Sequence, residues 1–207
     1  MDKNHLVRLP IFSIHGNHDA PIGLDLLSSV DMLNTNSYVN YFGKINDIES
    51  VRVEPILFHK GMTKVALYGI GHIKDARLNL LFERNSIEFA RPVGDDGCID
   101  DSYFNILVVH QNRYKGMYTC NSRDSITDER LPEFVDLVIW GHEHESQPVL
   151  RQVNGGEFHI LQPGSTVPTS LIDAESKTKH SFLLTIDGER LAYEPIPLKK
   201  QRPVIHR

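Results

Sequence analysis

The sequence has few of the residues that define several large protein classes. It contains two cysteines and one tryptophan among 207 residues. Cys98 and Cys120 lie in polar stretches without CxxC spacing, so neither a disulfide framework nor a zinc knuckle is predicted, and a reducing compartment is favoured. No apolar run reaches the roughly 18 to 20 residues of a membrane-spanning helix, and no signal-peptide core follows the N-terminus. We therefore expect an intracellular protein without a membrane segment.

An excess of basic residues is also missing. The net charge is -5, with 22 lysines and arginines against 27 acidic residues. This balance argues against a protein that coats nucleic acid by charge alone, but not against one that meets phosphates locally through bound cations. The hydrophobic content of 40% is that of a globular protein, and the length predicts one domain with a sizeable core.

Histidine is the residue in which the chain is rich, with 11 among 207 residues. Three segments end an apolar, strand-like run in possible metal ligands: Ile11–Asp19, Phe104–His110 and Val135–His144. Because the C-terminal ends of strands gather at one edge of an α/β sheet, we expect these polar residues to converge. The remaining histidines of interest are expected to be hydrogen-bonded structural residues: His5, His59, His72, His180 and His206.

Two short motifs carry the candidate chemistry. Asn17, His18 and Asp19 offer an amide oxygen for a cation, an imidazole for proton transfer and a carboxylate that could fix its tautomer. An Asx-turn that closes a strand is the alternative. His142 and His144 are separated by one residue and follow a glycine, so they can address one metal ion or two neighbouring ions.

Apolar periodicity and turn residues predict the secondary structure. Strands are expected at Leu9–Ile14, Tyr38–Phe42, Val51–Phe58, Thr63–Ile70, Phe104–Val109, Val135–Ile139, His180–Ile186 and Leu191–Ile196, and helices at Leu24–Leu33 and Asp75–Arg84. The polar segment from Arg113 to Asp128 is expected to be a mobile surface loop with little that could enter a core. Gln162–Thr166 is expected to be a turn where a ligand could approach the backbone closely.

Three of these strings together resemble signature segments of the calcineurin-like metallophosphoesterases. They are Gly16–Asp19, Val109–Arg113 and Gly141–Glu145. With the Trp140-Gly141-His142-Glu143-His144-Glu145 string and Gln162–Ser165, the chain is similar to the eukaryotic double-strand-break repair nucleases of the meiotic recombination protein eleven type. The resemblance covers about Leu9 to Leu198. It implies an α/β fold in which a calcineurin-like two-sheet β-sandwich is flanked by helices.

The resemblance also implies roles for particular residues. Asn17, His110 and His142 would bind one metal ion and His144 the other. His18 would act at the scissile phosphate, and Asp19 would orient His18. Asn112 and Arg113 are the candidates for DNA contact. The implied cofactor is manganese, with two ions in the complete family site and hydrolysis by a two-metal mechanism.

The chain departs from the family pattern at its start. The family's Asp-x-His segment and its bridging Gly-Asp segment have no counterpart before Leu9. We therefore expect the opening strands to be missing, a sheet edge to be exposed, and at most one weakly held metal ion. The expected organisation is a lead-in at 1–8, an incomplete nuclease domain at 9–198 and a linker toward an absent capping domain at 199–207.

Three functions remain open at this point. The first is the core of a manganese-dependent endo- or exodeoxyribonuclease of DNA repair, impaired or inactive as this chain. The second is a non-catalytic scaffold for repair partners, and the third is a small-molecule or protein phosphatase of the same superfamily. The resemblance implies DNA, a zinc-hook coiled-coil ATPase subunit, a Nijmegen-breakage-type subunit and a second copy of the chain as partners, and the nucleus as the location.

Overall fold

The computed structural model describes residues 9–45, 47, 49–116, 122–153 and 158–201. Within these residues the elements follow in the order β1 (Phe12–Ser13), α1 (Ser29–Thr35), β2 (Asn40–Tyr41), β3 (Val51–Val53), β4 (Ile56–Lys60), β5 (Thr63–Ile70), α2 (Asp75–Glu83), β6 (Ile87–Phe89), β7 (Phe104–His110), β8 (Leu137–Gly141), β9 (Arg151–Gln152), β10 (His159–Leu161), α3 (Asp173–Ser176), β11 (His180–Asp187) and β12 (Arg190–Pro197). The predicted lead-in and most of the predicted linker lie outside the described residues.

A six-stranded mixed sheet forms the centre of the fold, in the order β4-β5-β7-β8-β10-β9. The four inner strands run parallel, and β4 and β9 are antiparallel strands at the two edges. The register places Ile70 beside Val109 and His110 beside Gly141. The C-terminal ends of β5, β7 and β8 therefore meet at one edge of the sheet, as predicted for the last two.

Side chains of the central strands alternate between two hydrophobic clusters on opposite faces of the sheet. Leu107 and Trp140 belong to the larger cluster, whereas Ile106 and Leu137 belong to the smaller one. The smaller cluster is covered by Phe182 and other apolar residues of the β11–β12 hairpin. Burial on both faces explains why Ile106 to Val109 form an unbroken apolar run in β7, with no alternation of polar residues.

The first strand is shorter than predicted and does not belong to the central sheet. Phe12 and Ser13 pair in parallel with β2 in a separate two-stranded sheet. The backbone NH of His72 donates to the carbonyl of His15 over 3.1 Å, and this bond holds the end of β1 against the end of β5. The Asn17 motif thus reaches the central edge from a neighbouring sheet.

Both predicted helices are present, but only α2 has nearly the predicted bounds. α2 covers nearly all of the predicted Asp75–Arg84, and Leu78 and Leu81 bury its inner face. α1 begins at Ser29, five residues after the predicted start, because Ile22 and Leu27 pair across a tight turn and Ser28 provides the N-cap.

Two further segments correct the sequence predictions. Val51–Val53 pairs in parallel with β6, so only β4 joins β5 in the predicted hairpin. The prediction that little in the segment from 113 to 128 could enter a core was wrong: Ile126 is completely buried, and Arg113 is buried with it. The hydrogen bonds Tyr114 NH to Ile126 carbonyl and Ile126 NH to Asn112 carbonyl anchor the described ends of this segment. Residues 117–121, which include Cys120, lie outside the described residues.

None of the helices that the structure describes has the length and apolar character needed to span a bilayer. Cys98 is an exposed free thiol.

The hairpin predicted around Asp187 and Gly188 is present as β11 and β12, and Gly188 adopts the positive φ that its turn requires.

Candidate metal centre

Three side-chain atoms from three distant segments converge at the edge of the central sheet. Asn17 Oδ1 lies 3.1 Å from His110 Nε2 and 3.3 Å from His142 Nδ1. The two imidazole nitrogens are 3.4 Å apart. Each atom can present a lone pair, so the three form a triangular face of donors.

This triangle has the dimensions of one face of a metal coordination shell. Ligand atoms bound to a first-row ion at about 2.1 Å lie roughly 3.0 to 3.4 Å from one another in octahedral or tetrahedral geometry. The described ranges contain no group of three or more His, Cys, Asp or Glu residues that suits a metal ion. The triangle has two histidines, and its third donor is an amide oxygen, which is also a ligand for hard cations. The three residues thus fit one divalent ion.

Local backbone geometry allows this convergence. A Cβ atom at Gly16 would lie only 2.8 Å from His110 Cε1 and 2.9 Å from its Nε2, so the ring occupies the space that a side chain would fill. His142 follows β8 with a φ of 76°, which is rare for a residue with a side chain. This left-handed turn directs the His142 ring back toward the end of β7.

The two histidines of the triangle favour their neutral, ligand-competent form. Burial lowers the pKa of His110 to about 4, and the proximity of His142 and His72 contributes in the same direction. Burial also lowers the pKa of His142. Both rings are therefore neutral at neutral pH without any metal ion, and no proton must be displaced when an ion binds.

A hydrogen-bonded relay fixes the tautomer of His142. Asn112 Nδ2 donates to Asp75 Oδ2 over 2.7 Å, which leaves Asn112 Oδ1 to accept from His142 Nε2 over 2.8 Å. With the proton on Nε2, the lone pair of His142 lies on Nδ1, the atom that faces Asn17. The structure therefore places Asn112, a predicted DNA contact, behind a metal-ligand candidate.

His144 is not part of the donor triangle. Its Nδ1 lies 2.7 Å from Glu175 Oε1, and its side chain is 41% exposed. A cavity of about 250 Å³ lies beside both His142 and His144 and is also lined by Asn112 and Glu143. The two histidines thus border one cavity but do not share one set of donors.

The predicted catalytic pair does not form a hydrogen-bonded unit. His18 is exposed beside Asn17. Asp19 Oδ1 accepts from the backbone NH of Gly16 over 2.5 Å, and no hydrogen bond between Asp19 and His18 occurs in the described part of the chain. Asp19 thus closes the turn that carries Asn17 by bonding back to the residue three positions earlier, which differs from the Asx-turn considered for this motif, in which the side chain bonds to the backbone two residues on.

Arg113, the second predicted DNA contact, points into the protein. Its guanidinium forms two hydrogen bonds to Asp128, at 3.1 and 3.0 Å, and only 4% of its side chain is exposed. It also lies over the ring of Trp140, 5.4 Å from the ring centroid. This placement gives Arg113 little surface for a nucleic acid.

Three residues around the centre were not assigned to it from the sequence. His72 was predicted to be a hydrogen-bonded structural residue, and its Nδ1 does lie 3.1 Å from the carbonyl oxygen of His110. Its ring also stacks on that of His142, with centroids 6.1 Å apart, which the sequence did not indicate. The run of apolar residues before Gly71 and His72 could have indicated this position, since it repeats the pattern of the other two strands. Asp75 and Glu175 have no comparable local signal.

Comparisons with known proteins identify the family. The model of the calcineurin-like phosphoesterase family matches residues 2–146. The double-strand break repair proteins of Arabidopsis thaliana, Caenorhabditis elegans and Homo sapiens, all named MRE11 or mre-11, are 47%, 45% and 42% identical over 98%, 99% and 97% of this chain. The chain spans 28%, 28% and 27% of those three proteins, respectively.

A crystal structure of a 5'-nucleotidase from Staphylococcus aureus also matches, with a TM-score of 0.47 and 16% identity over 95% of this chain and 38% of that chain. The family model covers most of the chain, and the mixed α/β architecture is consistent with it. By this match, the chain belongs to the calcineurin-like phosphoesterase family.

Proposed function

We propose that this chain is the core of a metal-dependent DNA nuclease domain that acts in double-strand break repair. The observation that carries the proposal is the donor triangle of Asn17, His110 and His142, whose sides of 3.1 to 3.4 Å suit one divalent ion. The names of the similar repair proteins support DNA as the substrate. Because the chain spans only about a quarter of those proteins, the activity of a whole protein is part of the proposal.

Different residues of the chain have different proposed roles in phosphodiester hydrolysis. Bound divalent cations in such a site activate water and stabilise charge on the phosphate. Asn17, His110 and His142 would hold one ion. His144 lines the same cavity as His142, where it would be a donor for a second ion. The exposed His18 lies next to Asn17, where its imidazole can reach a phosphodiester and protonate the leaving sugar oxygen. Manganese is the proposed metal because the family resemblance implies it, and mixed nitrogen and oxygen donors suit a first-row ion without selecting manganese.

Metal binding is proposed to be weak. The triangle contains no carboxylate to offset the charge of a cation. Among the candidate ligands that the structure describes, a second ion would have a single donor, His144. Calorimetry with Mn²⁺ should therefore give at most one weakly bound ion per chain. Two tight sites would contradict this part of the proposal.

A manganese-dependent nuclease assay on linear and circular DNA tests the proposed activity. We expect cleavage by the wild-type chain to be low, to disappear with EDTA and to fall in His18→Ala. His59→Ala is the matched control, because this histidine lies on β4 and its Nε2 contacts the hydroxyl of Tyr103, away from the centre. Turnover of a nitrophenyl phosphate ester without DNA cleavage would instead indicate a phosphatase.

A non-catalytic scaffold is the second candidate, and the carboxylate-free donor triangle favours it. In that role the chain would associate with the ATPase subunit, the Nijmegen-breakage-type subunit and a second copy of itself in the nucleus. Equal residual nuclease activity in wild type and His18→Ala, together with retained association with these partners, is the outcome expected of a scaffold.

A further inference from the structure

A completely buried ion pair lies behind His144. Glu175, on α3, and Lys179 are four residues apart, and both side chains have 0% exposure. Lys179 Nζ lies 2.5 Å from Glu175 Oε2. Charged side chains are costly to bury, and a buried ion pair is often no more stabilising than apolar residues of the same volume. The pair therefore calls for a role beyond stability.

Glu175 controls the imidazole of His144. Its Oε1 lies 2.7 Å from His144 Nδ1, and the Thr169 hydroxyl donates to the same Oε1 over 2.9 Å. The Thr169 backbone NH and the Ser165 hydroxyl also donate to the carboxylate, each over 3.2 Å. A carboxylate with these donors can only accept from the imidazole, so Nδ1 of His144 carries the proton and Nε2 keeps its lone pair.

Lys179 controls the backbone of the same residue. Its ammonium group donates to the carbonyl of His144 over 2.6 Å and to the Ser165 hydroxyl over 2.9 Å, besides its bond to Glu175. These three acceptors match the three protons of an ammonium group. Side chain and main chain of His144 are thus held by the two members of one ion pair.

The turn at 162–166 completes this support. A Cβ atom at Gly164, whose φ is 74°, would lie 2.7 Å from the carbonyl oxygen of His144 and 2.6 Å from the backbone nitrogen of Ser146. The Ser165 NH donates to the same His144 carbonyl over 3.1 Å. The close approach predicted for a ligand at this turn is thus made by the backbone of the His144 loop.

We infer that Glu175 and Lys179 are positioning residues that hold His144 in its Nδ1-protonated tautomer, with the lone pair of Nε2 available to a metal ion. The inference deepens the proposed function and rests on it for the identity of the bound group. In metal sites a carboxylate that accepts from the second ring nitrogen fixes the orientation of the histidine, and its loss weakens metal binding about 10- to 100-fold. An ion pair that only anchors α3 would leave the tautomer undetermined.

The double variant E175Q/K179M removes both charges and keeps the volume and the balance of charge. Its matched control is E145Q/K177M, since Lys177 and Glu145 form a partly exposed ion pair in the same two segments. Imidazole ¹⁵N shifts of the metal-free proteins report the tautomer of His144. We expect the Nδ1–H tautomer in wild type and control, and a mixture of tautomers in E175Q/K179M alone.

An Nε2–H tautomer in wild type would overturn the inference, and this measurement requires no variant to fold. Unchanged shifts in a folded E175Q/K179M would overturn it as well. Failure of the proposed function has a different signature. In that case wild type and control show the Nδ1–H tautomer, which supports the positioning role, while neither protein cleaves DNA with Mn²⁺.

Discussion

Gly16 determines where the imidazole of His110 can lie. An added Cβ would come within 2.8 Å of that ring, a distance that packed atoms do not tolerate. No positive φ is found at Gly16, so Gly16→Ala should strain the ring contact rather than the backbone. We expect Mn²⁺ affinity to fall about tenfold or more, because a ligand ring displaced by a fraction of an ångström no longer completes the triangle.

Gly94→Ala is the control for that substitution. Its added Cβ would lie 3.1 Å from the end of the Asp96 side chain and at an ordinary contact distance of 3.9 Å from the Cys98 carbonyl oxygen, in a loop away from the centre. Titration of both variants with Mn²⁺, together with circular dichroism to check folding, measures the effect. Equal affinity in Gly16→Ala and wild type would argue against His110 as a ligand.

Asp75 is the outer member of the relay through Asn112 to His142. Asp75→Ala should free the Asn112 amide to rotate, so that His142 can no longer be held with its proton on Nε2. We expect Mn²⁺ affinity to fall about 10- to 100-fold. Asp101→Ala, at a carboxylate whose side chain is 84% exposed, should leave the affinity unchanged. Calorimetry of both variants compares the two outcomes.

The candidate ligands could be predicted from sequence, whereas the residues behind them could not. His110 and His142 each follow an apolar run whose length and uniformity predict a buried strand, and parallel strands end at a common edge. Glu175 lies on a four-residue helix 31 positions after His144, and no local pattern connects them. Arg113 shows the opposite error, since a charged residue beside a ligand segment proved to be paired inside the fold.

At the scale of elements, the N-terminus of α1 is tied to the His18 loop. Ser28 accepts from the Val30 NH over 3.1 Å as N-cap and donates its hydroxyl to the Asp19 carbonyl over 2.5 Å. Ser28→Ala should therefore lower the free energy of unfolding by about 1 to 2 kcal/mol, the range for a lost N-cap. Ser29→Ala, at the exposed next residue, should change it by less than about 0.5 kcal/mol. Urea unfolding measures both variants.

Asp31 gives the same helix a dependence on pH. The backbone NH of Ser28 and the ammonium group of Lys44 hold the pKa of Asp31 below its ordinary value, although partial burial opposes them. Its contribution to stability is therefore present above a pH of about 4, the unfolded pKa, and is lost as the pH falls through the lower folded pKa. We expect Asp31→Asn to be less stable than wild type at pH 7 and the difference to shrink below pH 4. A constant difference across this range in urea unfolding would contradict the assignment.

Elements were predictable where packing follows local pattern. The β11–β12 hairpin has turn residues between two apolar runs and α2 has a leucine-rich run, and both elements were found. The start of α1 was not predictable from spacing, because Leu24 and Leu27 have helical spacing but lie in an exposed turn. Leu24 contributes no burial there, so hydrophobic spacing without a partner surface did not produce a helix.

At the scale of the whole molecule, the surface around α1 is unusually apolar. Leu24, in the turn before α1, is completely exposed. Met32 and Leu33 are neighbours within α1, and they are 66% and 46% exposed. Exposed apolar side chains grouped in one segment are typical of association surfaces. We therefore predict that two copies of the chain associate through α1 in the homodimer that the family resemblance implies.

Substitution of Met32 by aspartate tests that surface without touching the candidate centre. A charge at the middle of a self-complementary interface is placed opposite its own symmetry-related copy, so Met32→Asp should shift the chain from dimer toward monomer in sedimentation equilibrium. Met62→Asp introduces the same charge at a residue that is 95% exposed in the turn between β4 and β5, and it should leave the association unchanged. Equal shifts in both variants would mean that association depends on net charge rather than on α1. Retained Mn²⁺ affinity in Met32→Asp would show that the centre forms within one chain, as expected since all its candidate ligands come from a single copy.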